Sequence, residues 1–366
     1  MTRPPALRLY AGPRARAHIA SRGLSPQDIG VIPGAAGGPK GLVLGPLDQF
    51  IFGEWLTRSS QPIDLVGASI GAWRLATACL APTVPALQRL SHDYIHQSYE
   101  VPPGRRMPTA DHVSERFGEG LRGFYGGRVQ EVIGHPRYRL HVVAARGRHI
   151  LRREHPIGTP LGYLGAFLAN AAHRRALGAW LERVVFSVGD GDLPFATQDF
   201  PTRRALLTED NFYAVVQASC SIPFALRGVR DIPGTRPGTY WDGGLTDYHL
   251  HLDYRPAASA RDGAGGLVLY PHFQKAVVPG WLDKGLRWRH GATPHLDNML
   301  VLAPDPAWVQ TLPQGKLPDR TDFSRFGQDV QARARIWTQA VSASARLAEE
   351  FAQWLDKPDP GRVQAL

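Results

Sequence analysis

The sequence predicts an α/β protein. Short apolar runs alternate with segments whose apolar residues recur at helical spacing. Glycine and proline punctuate the boundaries. The chain has 366 residues, 43% hydrophobic and 20% charged, enough to bury a large core; this composition excludes a mostly disordered chain.

In chain order, strands are expected at Ile29–Pro33, Ile63–Val66, Leu140–Ala144, Val184–Val188, Leu267–Tyr270 and Met299–Leu302. Each is a short apolar run too brief for a buried helix. Leu42–Leu56 has helical spacing at Leu47, Phe50, Ile51 and Trp55, with Pro46 marking a kink or late start. Ser69–Leu80 reads as a helix and Thr159–Leu181 as helix in one or two pieces. Near the end, Val330, Ala334, Trp337, Val341, Ala345, Ala348, Phe351 and Leu355 recur every three or four residues. That predicts one long amphipathic helix within 325–356, packed on the core. Glu100–His112 and Gly228–Gly238 are proline- and glycine-rich loops. Neither has the composition of an interdomain linker, so one domain over 1–366 is expected.

The formal charge is +10, from 42 basic and 32 acidic residues, and only five of the basic residues are lysines. They are spread along the chain without a stripe, which argues against a nucleic-acid partner. No apolar run approaches the roughly 18–20 residues of a membrane span. The N-terminus is basic but lacks an apolar signal core. A soluble cytoplasmic protein is therefore the expectation, with peripheral contact to an anionic membrane as the one addition. Cys79 and Cys220 are the only cysteines, which excludes a disulfide scaffold and a multi-cysteine zinc module.

Three motifs carry chemistry. Gly67-Ala68-Ser69-Ile70-Gly71 follows an apolar strand and opens a helix, the context of a G-x-S-x-G nucleophile elbow. An ordinary glycine-rich strand-to-helix turn is the competing reading. Gly34-Ala35-Ala36-Gly37-Gly38-Pro39-Lys40-Gly41 also joins a strand to a helix. Its backbone N–H groups suit an anion or oxyanion, and because Pro39 has none, Gly37 and Gly38 are the candidate donors. A P-loop is excluded: Lys40 is followed by Gly41, not by Ser or Thr. Lys40 either adds field at this loop or is a solvated first-turn residue, and the second reading is preferred. Tyr240-Trp241-Asp242-Gly243-Gly244 places an acid before two glycines, which suits a carboxylate at a strand end or a plain Asp-Gly turn.

In this order, GGPKG, GASIG and DGG resemble the patatin-like phospholipase family. Ile63–Ala72 is close to that family's elbow, and Ala218–Pro223 (ASCSIP) resembles a segment upstream of its aspartate. The resemblance runs from about 29 to 247. It departs at Ala36, where the family often has glycine, and after the DGG, where the chain reads Leu245-Thr246-Asp247-Tyr248-His249.

The resemblance implies a three-layer α/β/α domain with a mainly parallel sheet. It implies a Ser69–Asp242 dyad, an oxyanion hole at Gly37 and Gly38, and no cofactor or metal. Lys40, Gly41, Gly67, Gly71, Gly243 and Gly244 support the motifs. The implied activity is hydrolysis of lipid acyl esters, of phospholipase A or lysophospholipase type, through an acyl-enzyme. A short-chain or polyester esterase, or an acyltransferase, would use the same dyad; a non-catalytic lipid-binding protein is the alternative of another class. A Ser-Asp/Glu-His triad would draw on His249, His272, His290 or His295, all after Asp242.

Two further clusters need placing. Asp247, His249, His251 and Asp253 would share one face if they lay on a strand, either as a metal-binding H-x-H or as a polar rim, and the rim reading is preferred. Trp281, Lys284, Arg287, Trp288 and Arg289 mix aromatic and basic residues, as an interfacial lipid patch or as one amphipathic helix. Cys79 and Cys220 are expected to be buried thiols.

Overall fold

The computed structural model describes residues 4–105, 107–255 and 265–366. Eleven strands among them join one sheet: β1 Leu7–Ala11, β2 Ile29–Gly34, β3 Ile63–Ala68, β4 Tyr138–Gly147, β5 Leu181–Ser187, β6 Thr202–Leu206, β7 Val229–Arg230, β8 Thr239–Asp242, β9 Leu267–Pro271, β10 Met299–Pro304 and β11 Val363–Ala365. The main path runs β11-β1-β10-β9-β2-β3-β4-β5-β6, with β8 beside β4 and β7 beside β8. Its centre, from β10 through β9, β2 and β3 to β4, is parallel throughout.

The fold is three-layered because both sheet faces are apolar. Leu65, Leu140, Val142, Val184 and Leu269 point into one core with the helices, where Leu75, Leu121, Phe351 and Trp354 also pack. Their neighbours Val66, Val143, Val185, Val268 and Tyr270 point to the other face. Alternation on a strand buried on both sides reads in sequence as a continuous apolar run. All six expected strands are present within a residue or a few at each end.

Several expectations need correction. Leu42–Leu56 is not one helix: a 3₁₀ segment Gly38–Leu44 leads into an α-turn at Gly45–Phe50 and a wider π-turn at Ile51–Trp55. The stretch Thr159–Leu181 takes its two-piece form, the helix Gly158–Ala172 and a 3₁₀ segment Arg174–Ala179, and only its end differs, since Leu181 already begins β5. The long C-terminal helix is two, Val330–Ala343 and Ala345–Asp356. Ser344 separates them; it is buried and turns its hydroxyl back onto the Val341 carbonyl at 2.7 Å. Such back-bonding competes with helix continuation. The loop expected from Glu100 ends at Thr109, which caps the helix Ala110–Tyr125; Arg106 lies outside the described residues. The loop expected at Gly228–Gly238 contains β7.

Candidate active site

β3 delivers Ser69 to a turn that only a special backbone can make. Ser69 has φ 57° and ψ −131°, a conformation that L-residues rarely adopt. The helix Ile70–Ala78 starts at the next residue. Strain of this kind is held only where surrounding contacts over-determine it. Here the Ser69 amide donates to Ser219 Oγ at 3.0 Å, and its carbonyl accepts from the Trp73 amide at 3.3 Å. Gly71 allows the helix to pass very close to β2: a Cβ there would lie 1.8 Å from the Gly34 carbonyl oxygen. Gly67 ends the strand beneath the serine, opposite Gly34 of β2.

β8 delivers Asp242. Strand β4 pairs with β3 up to Ala68 opposite Val143, and with β8 from Asp242 opposite Ala144. Ser69 and Asp242, 173 positions apart in sequence, are thus brought together by consecutive residues of β4. Ser69 Oγ donates to Asp242 Oδ2 at 2.7 Å. The other carboxylate oxygen accepts from the Gly244 amide at 2.7 Å. The Asp242 and Gly243 amides are anchored to the Ser221 and Ser219 carbonyls, at 2.9 and 3.2 Å.

Ser219 is the hub of this arrangement. Its hydroxyl accepts from the Ser69 amide and donates to the Val143 carbonyl at 2.7 Å, while its carbonyl holds Gly243. One residue therefore ties the Ser69 turn, the sheet and the aspartate turn. Burial pushes the Asp242 carboxyl above the ordinary carboxylate range, while Arg320, the Ser69 and Gly244 hydrogen bonds, and Lys284 pull it back down. A raised carboxyl is a better proton acceptor for an alcohol. Ser69 and Asp242 are only 3% and 5% exposed.

The glycine-rich loop lies beside the elbow because β2 and β3 are parallel neighbours. Its Ala36 amide donates to the Tyr248 carbonyl at 3.0 Å, fastening it to the segment after Asp242. Gly37 precedes the 3₁₀ segment and Gly38 opens it with φ +59°. The first amides of a helical turn have no partner within it and are free to donate to a ligand. Phe273 packs on Gly37, so a Cβ there would lie 2.5 Å from the ring. Gly41 abuts Ile70 and Arg74 of the elbow helix.

Cations gather around this loop. Lys40 is not the solvated residue expected: its ammonium sits 5.4 Å from the Phe273 ring centre, and loss of hydration lowers its pKa. Lys284 is exposed overall, but its ammonium folds over the Tyr248 ring at 4.2 Å and is pushed down to about 8 by desolvation. Arg320, whose Nε lies 3.1 Å from a Cβ built on Gly38, completes the group. Sequence reasoning missed Arg320, which has no motif and stands 78 positions beyond Asp242 in sequence. Ser219 was visible only as part of ASCSIP.

Three of the histidines after Asp242 bond elsewhere through one ring nitrogen, the Nε2 atoms of His249 and His272 being buried without a partner among the described residues. His249 Nδ1 lies 3.1 Å from both the Ala276 carbonyl and the Val278 amide, and His272 Nδ1 meets the Gln274 carbonyl at 2.5 Å. His290 Nε2 meets the Asp283 carbonyl at 2.9 Å. Burial lowers His272 to about 3 and His251 to about 4, and takes His249 well below its ordinary value. No histidine among the described residues is hydrogen-bonded to Ser69.

The segment Asp247–Asp253 is not a strand. Gly244–Asp247 is a helical turn, and its four polar side chains diverge. Asp247 bonds Arg183 at 2.6 and 2.7 Å, His251 bonds Val277 and Thr293, and Asp253 bonds Arg255. Among the described residues no three His, Cys, Asp or Glu side chains converge as metal ligands do. Trp281–Asp283 and Arg287–Arg289 are two short 3₁₀ turns rather than one amphipathic helix. Cys79 and Cys220 are buried free thiols, and burial raises the pKa of both.

No protein-family model matches the chain, and no curated protein matches it. Among solved structures it is similar to VipD from Legionella pneumophila, at 14% identity and a TM-score of 0.34, covering 96% of this chain and 71% of that one. A likeness this low carries no argument about activity.

Proposed function

We propose that the chain is a serine acyl hydrolase of carboxylic esters, acting on lipid acyl chains in the manner of a phospholipase A or lysophospholipase. The observation that carries this reading is a strained Ser69 whose hydroxyl donates to a buried, pKa-raised Asp242 at 2.7 Å. The motif order GGPKG, GASIG and DGG, with its resemblance to patatin-like phospholipases, supports the lipid substrate.

In the proposed reaction, Ser69 Oγ attacks the ester carbonyl carbon as its proton passes to Asp242. The Gly37 and Gly38 amides stabilise the tetrahedral oxyanion, a type of contact worth about 10²–10³ in turnover per donor. Collapse breaks the bond to the alcohol, which leaves with the proton from Asp242, and Ser69 keeps the acyl group. Asp242 then takes a proton from water as the water attacks the acyl-enzyme. The carboxylic acid departs as Ser69 regains its proton. Lys40, Lys284 and Arg320 favour the negative charge that develops on the oxygen.

A fluorophosphonate probe tests the dyad. Labelling is expected at Ser69 by mass spectrometry, and Ser69→Ala and Asp242→Asn are expected to lower ester turnover by about 10⁴–10⁶-fold while remaining folded. A histidine substitution equally damaging in a folded protein would overturn the assignment. A second reading, a non-catalytic lipid-binding protein, draws on the near-complete burial of Ser69 and Asp242. It predicts lipid binding with no labelling at any probe concentration.

A further inference from the structure

The helix Gly158–Ala172 has an outer face that a soluble protein does not normally show. From Ile157 to Ala172 there is no charged residue. Leu161, Leu164 and Leu168 fall on one stripe and are 56%, 54% and 59% exposed, with Ile157 and Phe167 exposed beside them. The opposite face, with Tyr163, Ala166 and Asn170, is buried. The apolar area extends beyond the helix. Exposed Ile150 packs over Gly158 and Gly162 at the N-terminal end, and exposed Phe224 meets Tyr163 at 5.9 Å. Exposed Trp288 lies at the C-terminal end, where its neighbour Arg289 donates to the Ala171 carbonyl. A contiguous apolar surface of this kind marks a docking site.

Its border is mainly basic; the one acid there among the described residues, Glu154, is paired with Arg227 at 3.1 Å. Arg152 and Arg153 precede the helix, Arg175 follows it, and Arg287 flanks its C-terminal end; all four are exposed. None forms a salt bridge among the described residues. Arg152 also lines a surface depression with Arg146, Arg148 and Arg236. The helix has 15 residues, a length of about 22 Å, short of the roughly 30 Å of a bilayer core, so it suits lying in an interface rather than crossing one.

We infer that this face docks the protein on an anionic lipid bilayer, with the leucine stripe, Phe224 and Trp288 among the acyl chains and the arginine border on the headgroups. A second copy fits less well, since a self-complementary interface would set arginine border against arginine border. The placement is economical for the proposed reaction. Tyr163 on the buried side of the helix lies 6.1 Å from Trp241, the residue before Asp242. The inference rests on that reading only for the class of substrate, and binding is measured on Ser69→Ala protein, where turnover plays no part.

The experiment is co-sedimentation of this full chain with vesicles of phosphatidylcholine alone or with one quarter phosphatidylglycerol. Binding is expected to the mixed vesicles and to weaken with salt. L164E/L168E is expected to reduce it at least ten-fold, and R152E/R175E to remove the preference for the anionic vesicle. These side chains are exposed, so circular dichroism and melting temperature are expected to stay at wild-type values. Turnover of a soluble short-chain ester by the same variants in a Ser69 background is expected to be unchanged. Equal binding to both vesicles, or full binding by L164E/L168E, would overturn the inference. So would a stable dimer by light scattering that L164E/L168E dissociates, without vesicle binding by either. Vesicle binding that the variants abolish, in a protein that turns over no ester, would uphold docking while rejecting the hydrolase.

Discussion

In the proposed reaction Asp242 can accept a proton only when ionised, and its environment pulls in two directions. Burial raises its pKa, and Arg320 is the strongest of the influences that lower it again. Ester turnover is therefore expected to fall with decreasing pH through a value above the ordinary aspartate pKa of about 3.9. Arg320→Gln removes the main opposing charge, so the acid limb of the pH–kcat/KM profile is expected to move to higher pH; Lys284→Met is expected to move it the same way by less. A limb that stays in place with Arg320→Gln would place that guanidinium outside the field of the dyad. The contact between Ser69 and Asp242 was foreshadowed in sequence because serine and aspartate each sit among glycines. Arg320 was not, since an arginine in a loop carries no spacing signal.

At the scale of elements, the site depends on how two turns are held against one strand. Ser219 makes the cross-connection through hydrogen bonds to the Ser69 amide and the Val143 carbonyl. Ser219→Ala leaves both buried groups unpaired, a cost of about 1–3 kcal/mol for each unsatisfied group. It is expected to lower the urea midpoint and to lower kcat at least ten-fold with little change in KM, as loosening of a strained nucleophile would. Restoration of both by Ser219→Thr would separate the hydrogen bond from mere volume. The central strands could be read because burial on both faces makes them continuous apolar runs. The flanking ones could not: β6, Thr-Arg-Arg-Ala-Leu, is polar as an exposed edge strand must be, and β11 has three residues. Of the C-terminal stripe Ala334, Trp337 and Phe351 are buried, while beyond the buried Ser344 that divides it the second helix buries Leu347 and Trp354, which lie off the expected stripe.

At the scale of the molecule, the segment that follows the candidate base is tied back to the sheet by charge. Arg183 of β5 is fully buried and bonds Asp247 at 2.6 and 2.7 Å and Asp199 at 3.0 Å. Nearby, buried Asp283 accepts from Arg174, Arg289 and Asn170 at 2.7–2.9 Å. Removing one partner of a buried pair leaves the other uncompensated, a cost of about 3–5 kcal/mol. Arg183→Met is expected to lower stability by that amount in urea denaturation; a change under about 1 kcal/mol would mean that Asp247 finds another partner. This network was hidden in sequence, where Asp247 read as one of four residues on a strand face. Its true partner is 64 positions away. The alternation of apolar runs reveals an α/β sheet, but nothing in it says which arginine meets which aspartate.

The pairing of both β3 and β8 with β4 has a consequence for how the chain tolerates change. Val143 and Ala144 act as adjacent marks on a ruler, and the distance from Ser69 to Asp242 is set by the spacing of backbone units, not by the side chains that hang from them. Exchange of those side chains for others of similar bulk is a matter of packing alone. Insertion of a single residue between the two marks would shift Ser69 against Asp242 by about 3.3 Å. A one-residue insertion between Val143 and Ala144 is therefore expected to erase the proposed ester turnover in a protein that keeps both Ser69 and Asp242, so that the spacing of this strand, rather than its lettering, is what descent would have to preserve.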